Sequence, residues 1–287
     1  MIALLVEGVF HWGFSVRIIT ESAGAQYYLM PPPSTLIGAL AYGVHVNRGV
    51  AECAMGERKR GERRIRSTAA LLARAVKWAS FAISEGVSRR RACVVGHSDF
   101  IRSFRLPYQR GVRHEQPEMW YGICASGRVY ACGTGFKILY LVNEERLDEL
   151  ELEPRDILAA AHSIVRIGSR EGLVSILGVQ MTGKVEEVKA PLDTDYYFPR
   201  RLGEVRGSCE VISLPVLREA VWEFRPEEPV RIHDHEEYFA PLRLSPVKAP
   251  TRLRVVKLSE GAIALRARFS GEREEVVVVP REVVEGA

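Results

Sequence analysis

The sequence predicts an α+β chain. Its first part is ordered strand, helix, strand, strand, helix, strand, and a smaller β-rich part follows. Three observations carry this. Apolar residues recur at helical spacing in only a few segments, as in Leu36, Leu40 and Val44. Strand-like apolar runs bracket those segments, at 1–9, within 119–142 and at 173–179. Beyond residue 190 prolines become frequent and the remaining apolar runs are short.

Each element has a local reason. Residues 1–9 read as a strand that continues past a kink at Gly13 toward Thr20. Pro31-Pro32-Pro33 stop any ladder, because proline lacks the N–H donor. Ser34 follows as an N-cap whose hydroxyl accepts a first-turn N–H, and a helix runs over 34–47. Gly38 inside that helix costs roughly 1 kcal/mol against alanine, so another backbone or a ligand is expected close by. After a basic connection over 48–66, Ser67 caps a second helix over 68–84. Leu72, Val76, Ala79 and Ile83 share its face and Gly86 stops it. Arg89-Arg90-Arg91 precede a strand-like run from Ala92 to Val95. A hairpin around Ser126-Gly127 is expected within 119–142, with Phe136 to Val142 as its strongest strand. Pro154 sits in the first turn of a third helix over 154–165, where proline is tolerated. Gly168 and Gly172 lead into a strand from Leu173 to Val179.

With the basic segment 48–118 set aside as an insertion, this is the ferredoxin-like order that RNA-recognition modules share. The first domain spans 1–182 and the β-rich domain 183–287. Strands are expected at Leu253 to Leu258, Ala262 to Phe269 and Val276 to Val279, with turns at Gly261 and Ser270-Gly271.

A length of 287 residues suits about two domains. With 47% hydrophobic and 26% charged residues, the chain can bury a sizeable core. No apolar run approaches the roughly 20 residues of a membrane helix, and no secretory pattern opens the chain. A cytoplasmic protein is expected. The five cysteines include no C-x-x-C pair, which argues against a disulfide framework or a zinc ribbon. Asn and Gln are scarce, with two and four copies, and Arg outnumbers Lys 33 to 7. Depletion of heat-labile amides points to a thermophile, although GC-rich coding also yields an arginine bias.

Charge is distributed unevenly. Residues 48–113 hold 16 basic and 5 acidic side chains, a net +11, whereas the rest of the chain is −7. Such a segment is the electrostatic footprint expected for a polyanion partner. Arginine favours phosphate, because its planar fork bonds two oxygens at once. Arg102, Arg105, Arg110 and Arg113 are interleaved with Phe100, Phe104 and Tyr108. In this arm over 97–118, arginines would grip phosphates while a ring stacks on a base.

Three stretches carry a family resemblance: Gly13-Phe14-Ser15 with Arg17; Tyr28-Leu29-Met30-Pro31-Pro32-Pro33-Ser34-Thr35-Leu36-Ile37-Gly38-Ala39-Leu40; and Arg166-Ile167-Gly168-Ser169-Arg170-Glu171-Gly172-Leu173-Val174-Ser175. Together they resemble the handle-binding subunit of archaeal Cascade, the fifth CRISPR-associated family of the RAMP superfamily, in its type I-A form. The resemblance implies a ferredoxin-like RAMP domain that holds the 5′ handle of a CRISPR RNA. It implies the Cascade backbone subunit and the Cascade large subunit as partners. It also implies a hairpin "thumb", best matched by the arm, and a glycine-rich loop at 166–173.

The RNA-binding candidates are therefore Trp12, Phe14, Arg17, Tyr28, Ser34, Arg102, Arg105, Tyr108, Arg110, Arg113, Arg166, Gly168, Ser169, Arg170 and Gly172. Trp12, Phe14, Tyr27 and Tyr28 form an aromatic cluster suited to stacking on bases or to core packing. The loop could point N–H groups at a phosphate. No catalytic set, metal or cofactor is assigned. His45 and Tyr42, three apart on one helix face, are the runner-up acid–base pair for a metal-independent endoribonuclease. Type I-C relatives cleave guide RNA, whereas the type I-A resemblance implies that a separate enzyme does so. A protein-only assembly adaptor is the other alternative. His233-Asp234-His235-Glu236-Glu237 would gather three ligands on one side of a strand, but reads better as a solvated acidic loop.

Overall fold

Alternating apolar side chains along Ile2–Phe10 build the centre of the molecule as strand β1. Leu4, Val6 and Phe10 face one core, while Ala3 and Leu5 face another. The computed structural model describes residues 1–16, 18, 26–49, 51–56, 64–67, 69–85, 92–104, 115–169, 171–217, 223–224 and 234–285.

Gly13–Phe14 forms the short β2, and Pro33–Arg48 is helix α1. Cys53–Gly56 (β3) and Arg64–Ser67 (β4) pair antiparallel. Ala69–Ala75 (α2) runs straight into Val76–Ser84 (β5). Val95–Phe104 (β6) and Tyr121–Tyr130 (β7) form a long antiparallel ribbon, paired from Val95 with Tyr130 to Phe104 with Tyr121. Gly135–Val142 (β8), Glu144–Asp148 (α3), Pro154–His162 (α4) and Val174–Thr182 (β9) complete this half.

The main sheet has the order β5-β8-β1-β9, with every neighbouring pair antiparallel. One face carries α1 and α4, whose Leu36, Ile37, Leu40, Ile157, Ala160 and Ala161 share a core with Phe10, Phe81, Phe136 and Ile138. Buried Tyr140 donates its hydroxyl to the Leu36 carbonyl at 2.9 Å, fixing α1 on the sheet. The two helices touch at Gly43, where an added Cβ would stand 2.1 Å from the Ala160 oxygen.

The rest of the chain covers the second face and also reaches the first, where Tyr197, Leu214, Tyr238 and Ala240 join the helix-side core. Its strands are Val185–Val188 (β10), Leu192–Thr194 (β11), Phe198–Pro199 (β12), Gly203–Arg206 (β13), Glu210–Pro215 (β14), Glu223–Phe224 (β15), His235–Ala240 (β16), Leu253–Leu258 (β17), Ala262–Arg268 (β18) and Glu274–Pro280 (β19). Glu282–Glu285 (α5) follows. These strands form small sheets, β10-β18-β19, β11-β17-β13 and β12-β16-β14, while β15 adds to β4. Ile263, Leu265, Val277 and Val279 pack on Leu5, Trp78, Leu139 and Leu141. Beside them Glu7, Lys137, Arg273 and buried Glu275 are linked by ion pairs. A buried carboxylate is tolerated only with such partners.

Three local expectations are corrected. Residues 76–84 are a strand and not the second half of a helix. Ala79, Phe81 and Ile83 face the helix-side core and Trp78 and Ala82 the other, so both faces are apolar and no polar alternation marks the strand. The ladder continues through Ser126-Gly127, which lie inside β7 opposite Ser98 and Asp99. The turn into β8 falls instead near Gly133, at φ 65°. Finally, α1 starts one residue early. Pro32 is its N-cap and Pro33 its first residue, so Ser34 lies in the first turn and makes no capping bond. Proline suits that first position, since its φ is preset and it has no N–H to satisfy.

The segment expected as one insertion, 48–118, returns to the main sheet as β5. The β3–β4 pair precedes that return and the β6–β7 ribbon follows it. The Ser67 hydroxyl, at the end of β4, accepts the N–H of Ala69, the first residue of α2, at 3.2 Å.

Candidate nucleic-acid interface

Segments far apart in sequence meet in a cleft of about 830 Å³ beside α1. One wall is the α1 stripe Thr35, Gly38, Tyr42 and His45, spaced three or four residues apart so that they share a face. Opposite stand Ser15, Val16 and the loop residues Arg166, Gly168, Ser169 and Glu171. Arg128 reaches in from β7, at the root of the ribbon, and Glu52, Ser67 and Ala69 close another side.

The loop is shaped by its glycines. Gly168 adopts φ 81°, and a Cβ there would stand 2.8 Å from the Ser15 oxygen. A Cβ on Gly172 would lie 2.0 Å from the Ile167 oxygen. The Ser169 N–H donates to Ser15 at 3.0 Å and the Gly172 N–H to Ser169 at 2.9 Å. Those two N–H groups therefore serve the fold. The side chains of Arg166, Arg128 and Ser169 also line the cleft.

Arg166 stacks its guanidinium over the Tyr42 ring, 5.2 Å from the centroid. Such a contact holds a flat cation in place at modest cost. Arg128 lies 6.0 Å over the Trp12 ring and 3.5 Å from Glu171. Trp12 also meets Tyr130 edge-on at 5.9 Å. Trp12 thus marks the ribbon root, half-exposed.

Other candidates fall elsewhere. Phe14 is fully buried against Phe10, and Tyr28 is 5% exposed. The Tyr28 hydroxyl lies 2.7 Å from His235 Nε2, and burial pushes its phenol up to about 12. Neither ring offers a face to a base. Both instead anchor the chain that leads into the cleft. Arg102 is placed in β6 opposite Ile123, so it belongs to the ribbon. Arg17, Arg105, Tyr108, Arg110, Arg113 and Arg170 lie outside the described residues.

The stretch expected as an acidic loop is in part strand β16, where Glu236 pairs with Arg201 and Glu237 with Arg200 at 2.8 Å. Among the described residues no group of three or more His, Cys, Asp or Glu side chains is placed to hold a metal. No described helix is long and apolar enough to cross a membrane.

Sequence reasoning missed Arg128, a lone arginine in a strand, and the backbone carbonyl of Ser15. The resemblance to Gly13-Phe14-Ser15 was the only signal for the latter.

Burial pushes the His45 imidazole below its ordinary value of 6.5, with Glu52 pulling it back up. The unfolded chain therefore takes the proton first. Above pH about 6.5 His45 contributes no pH dependence. Below it, acid should cost stability until the lower folded value is passed. We expect His45→Gln to flatten the melting temperature below pH 6.5. An unaltered profile would place the acid sensitivity elsewhere.

Comparison with known proteins agrees with this architecture. No family model matches the chain. A CRISPR system aCascade subunit Cas5 of Saccharolobus solfataricus is 33% identical over 189 residues, covering 66% of this chain and 68% of that protein. The chain belongs to the Cas5 family. A second CRISPR-associated Cas5 protein of that organism is 26% identical over 218 residues, 75% of each chain. A crystal structure of a CRISPR protein from Archaeoglobus fulgidus matches this Cas5 chain with a TM-score of 0.55 at 18% identity. That match spans 98% of this chain and all of the other, and the two share a mixed α+β fold.

Proposed function

We propose that this Cas5 chain is a non-catalytic RNA-binding subunit of a type I-A Cascade. It holds the 5′ handle of the guide RNA and anchors the backbone and large subunits in antiviral defence. The observation that carries this reading is the cleft. It joins the resemblance segments at Ser15, at α1 and at Arg166, Gly168, Ser169 and Glu171 to the root of a ribbon whose sequence is arginine-rich. The relatives' names, one a CRISPR system aCascade subunit and one a CRISPR-associated protein, support the same role.

The strand and helix order through Thr182, with sheet order β5-β8-β1-β9, supports a ferredoxin-like RAMP module over 1–182. Residues 183–287 form the β-rich part, whose β18 and β19 pack on the second face while β14 and β16 join the helix-side core. The β6–β7 ribbon acts as the thumb. RNA is held through phosphate charge and unstacked bases, as expected for single-stranded recognition.

A second reading has one observation in its favour: Tyr42, His45 and Arg166 line the same cleft. General acid–base cleavage of RNA needs such a set at the scissile phosphate. Incubation of the purified protein with repeat RNA in EDTA separates the two. The RNA should be recovered intact after hours. Site-specific cleavage that vanishes in His45→Ala would establish the endoribonuclease instead.

A further inference from the structure

We infer that the cleft takes one unstacked ribonucleotide, with its base against the α1 backbone at Gly38 and beside the Arg166 guanidinium. The inference rests on the RNA-binding reading and specifies what part of the RNA enters this site.

Two glycines of α1 make the case by contrast. Gly43 is explained by protein packing, since a Cβ there would strike the Ala160 oxygen. Gly38 is not: no described heavy atom lies within 4 Å of a Cβ built on it. A glycine in a helix interior costs roughly 1 kcal/mol against alanine. Nothing described in the protein offsets that cost at Gly38, whose missing side chain instead opens the cleft.

The surroundings suit a nucleotide. Arg166, held over Tyr42, offers the kind of planar group on which unstacked bases lie. Thr35, Ser169 and Arg128 supply hydroxyl and cationic donors for ribose and phosphate. A volume near 830 Å³ falls in the range of small-ligand sites, enough for a nucleotide and too small for a duplex. Arg128 ties this pocket to the ribbon root, so a strand following the ribbon passes its mouth.

The test uses guide RNAs that each carry one abasic nucleotide in the 5′ handle, with wild type and Gly38→Leu. Wild type should lose about tenfold in affinity at one abasic position and little at its neighbours, in line with the loss of one stacked base. Gly38→Leu should lose about tenfold on intact RNA. It should lose no more on the RNA abasic at that position, because base and side chain compete for one space. Its melting temperature should equal or exceed that of wild type, since leucine is the better helix former. Equal binding by Gly38→Leu and wild type overturns the inference while leaving the RNA-binding reading intact. So does a uniform response to all abasic positions. A lowered melting temperature would mean that protein fills the space, which also overturns it. Failure of wild type to bind intact handle RNA would overturn both.

Discussion

Gly43→Val should lower the unfolding free energy by about 3 kcal/mol, at the upper end of what overpacking costs. The added Cβ would fall 2.1 Å from the Ala160 oxygen and 2.8 Å from its Cα, both backbone atoms that cannot rotate away. Relief requires α1 and α4 to part, and both are seated on the main sheet through the same core. Chemical denaturation gives the measurement: the midpoint should shift with the slope unchanged. A loss below about 1 kcal/mol would mean that the helices separate freely, and the cleft wall formed by α1 would not be rigid.

The triple variant Arg102→Ala, Arg105→Ala and Arg110→Ala should weaken handle-RNA binding more than any single change in the cleft. Each phosphate contact on a single strand contributes about −0.7 to the slope of log K against log salt. Removing three should therefore flatten that slope by about 2. The β6 strand places Arg102 in the ribbon, and Arg105 and Arg110 follow it directly in sequence. An unchanged slope with impaired assembly of the complex would assign the ribbon to a protein partner.

Much of this fold was legible because its signals are local. The three prolines at the entry to α1, the apolar series on that helix and the turns at Gly261 and Gly271 all mark what they border. β5 was not legible. Its two apolar faces meet two different cores, and the coincidence of Leu72, Val76, Ala79 and Ile83 at helical spacing completed the illusion. Ser126-Gly127 read as a turn because those residue types favour turns. Only pairing with the distant β6 shows that the strand runs through.

The site was half legible for the same reason. Gly38 and the 166–172 loop stood out by composition. Their meeting with Arg128 and Ser15 depends on tertiary packing. Phe14 and Tyr28 illustrate the converse: aromatic residues in a motif looked suited to bases, but the core claimed them.

The central claim is tested most directly by binding of 5′-handle RNA to the purified protein in EDTA across a salt series. A shuffled strand of equal composition serves as the control, and the recovered RNA is examined on a gel. Handle RNA should bind more tightly than the shuffled strand, with affinity falling steeply as salt rises, and should be recovered intact. Salt-insensitive binding, equal binding of both strands, or cleavage at a single site would contradict a non-catalytic subunit that holds the handle.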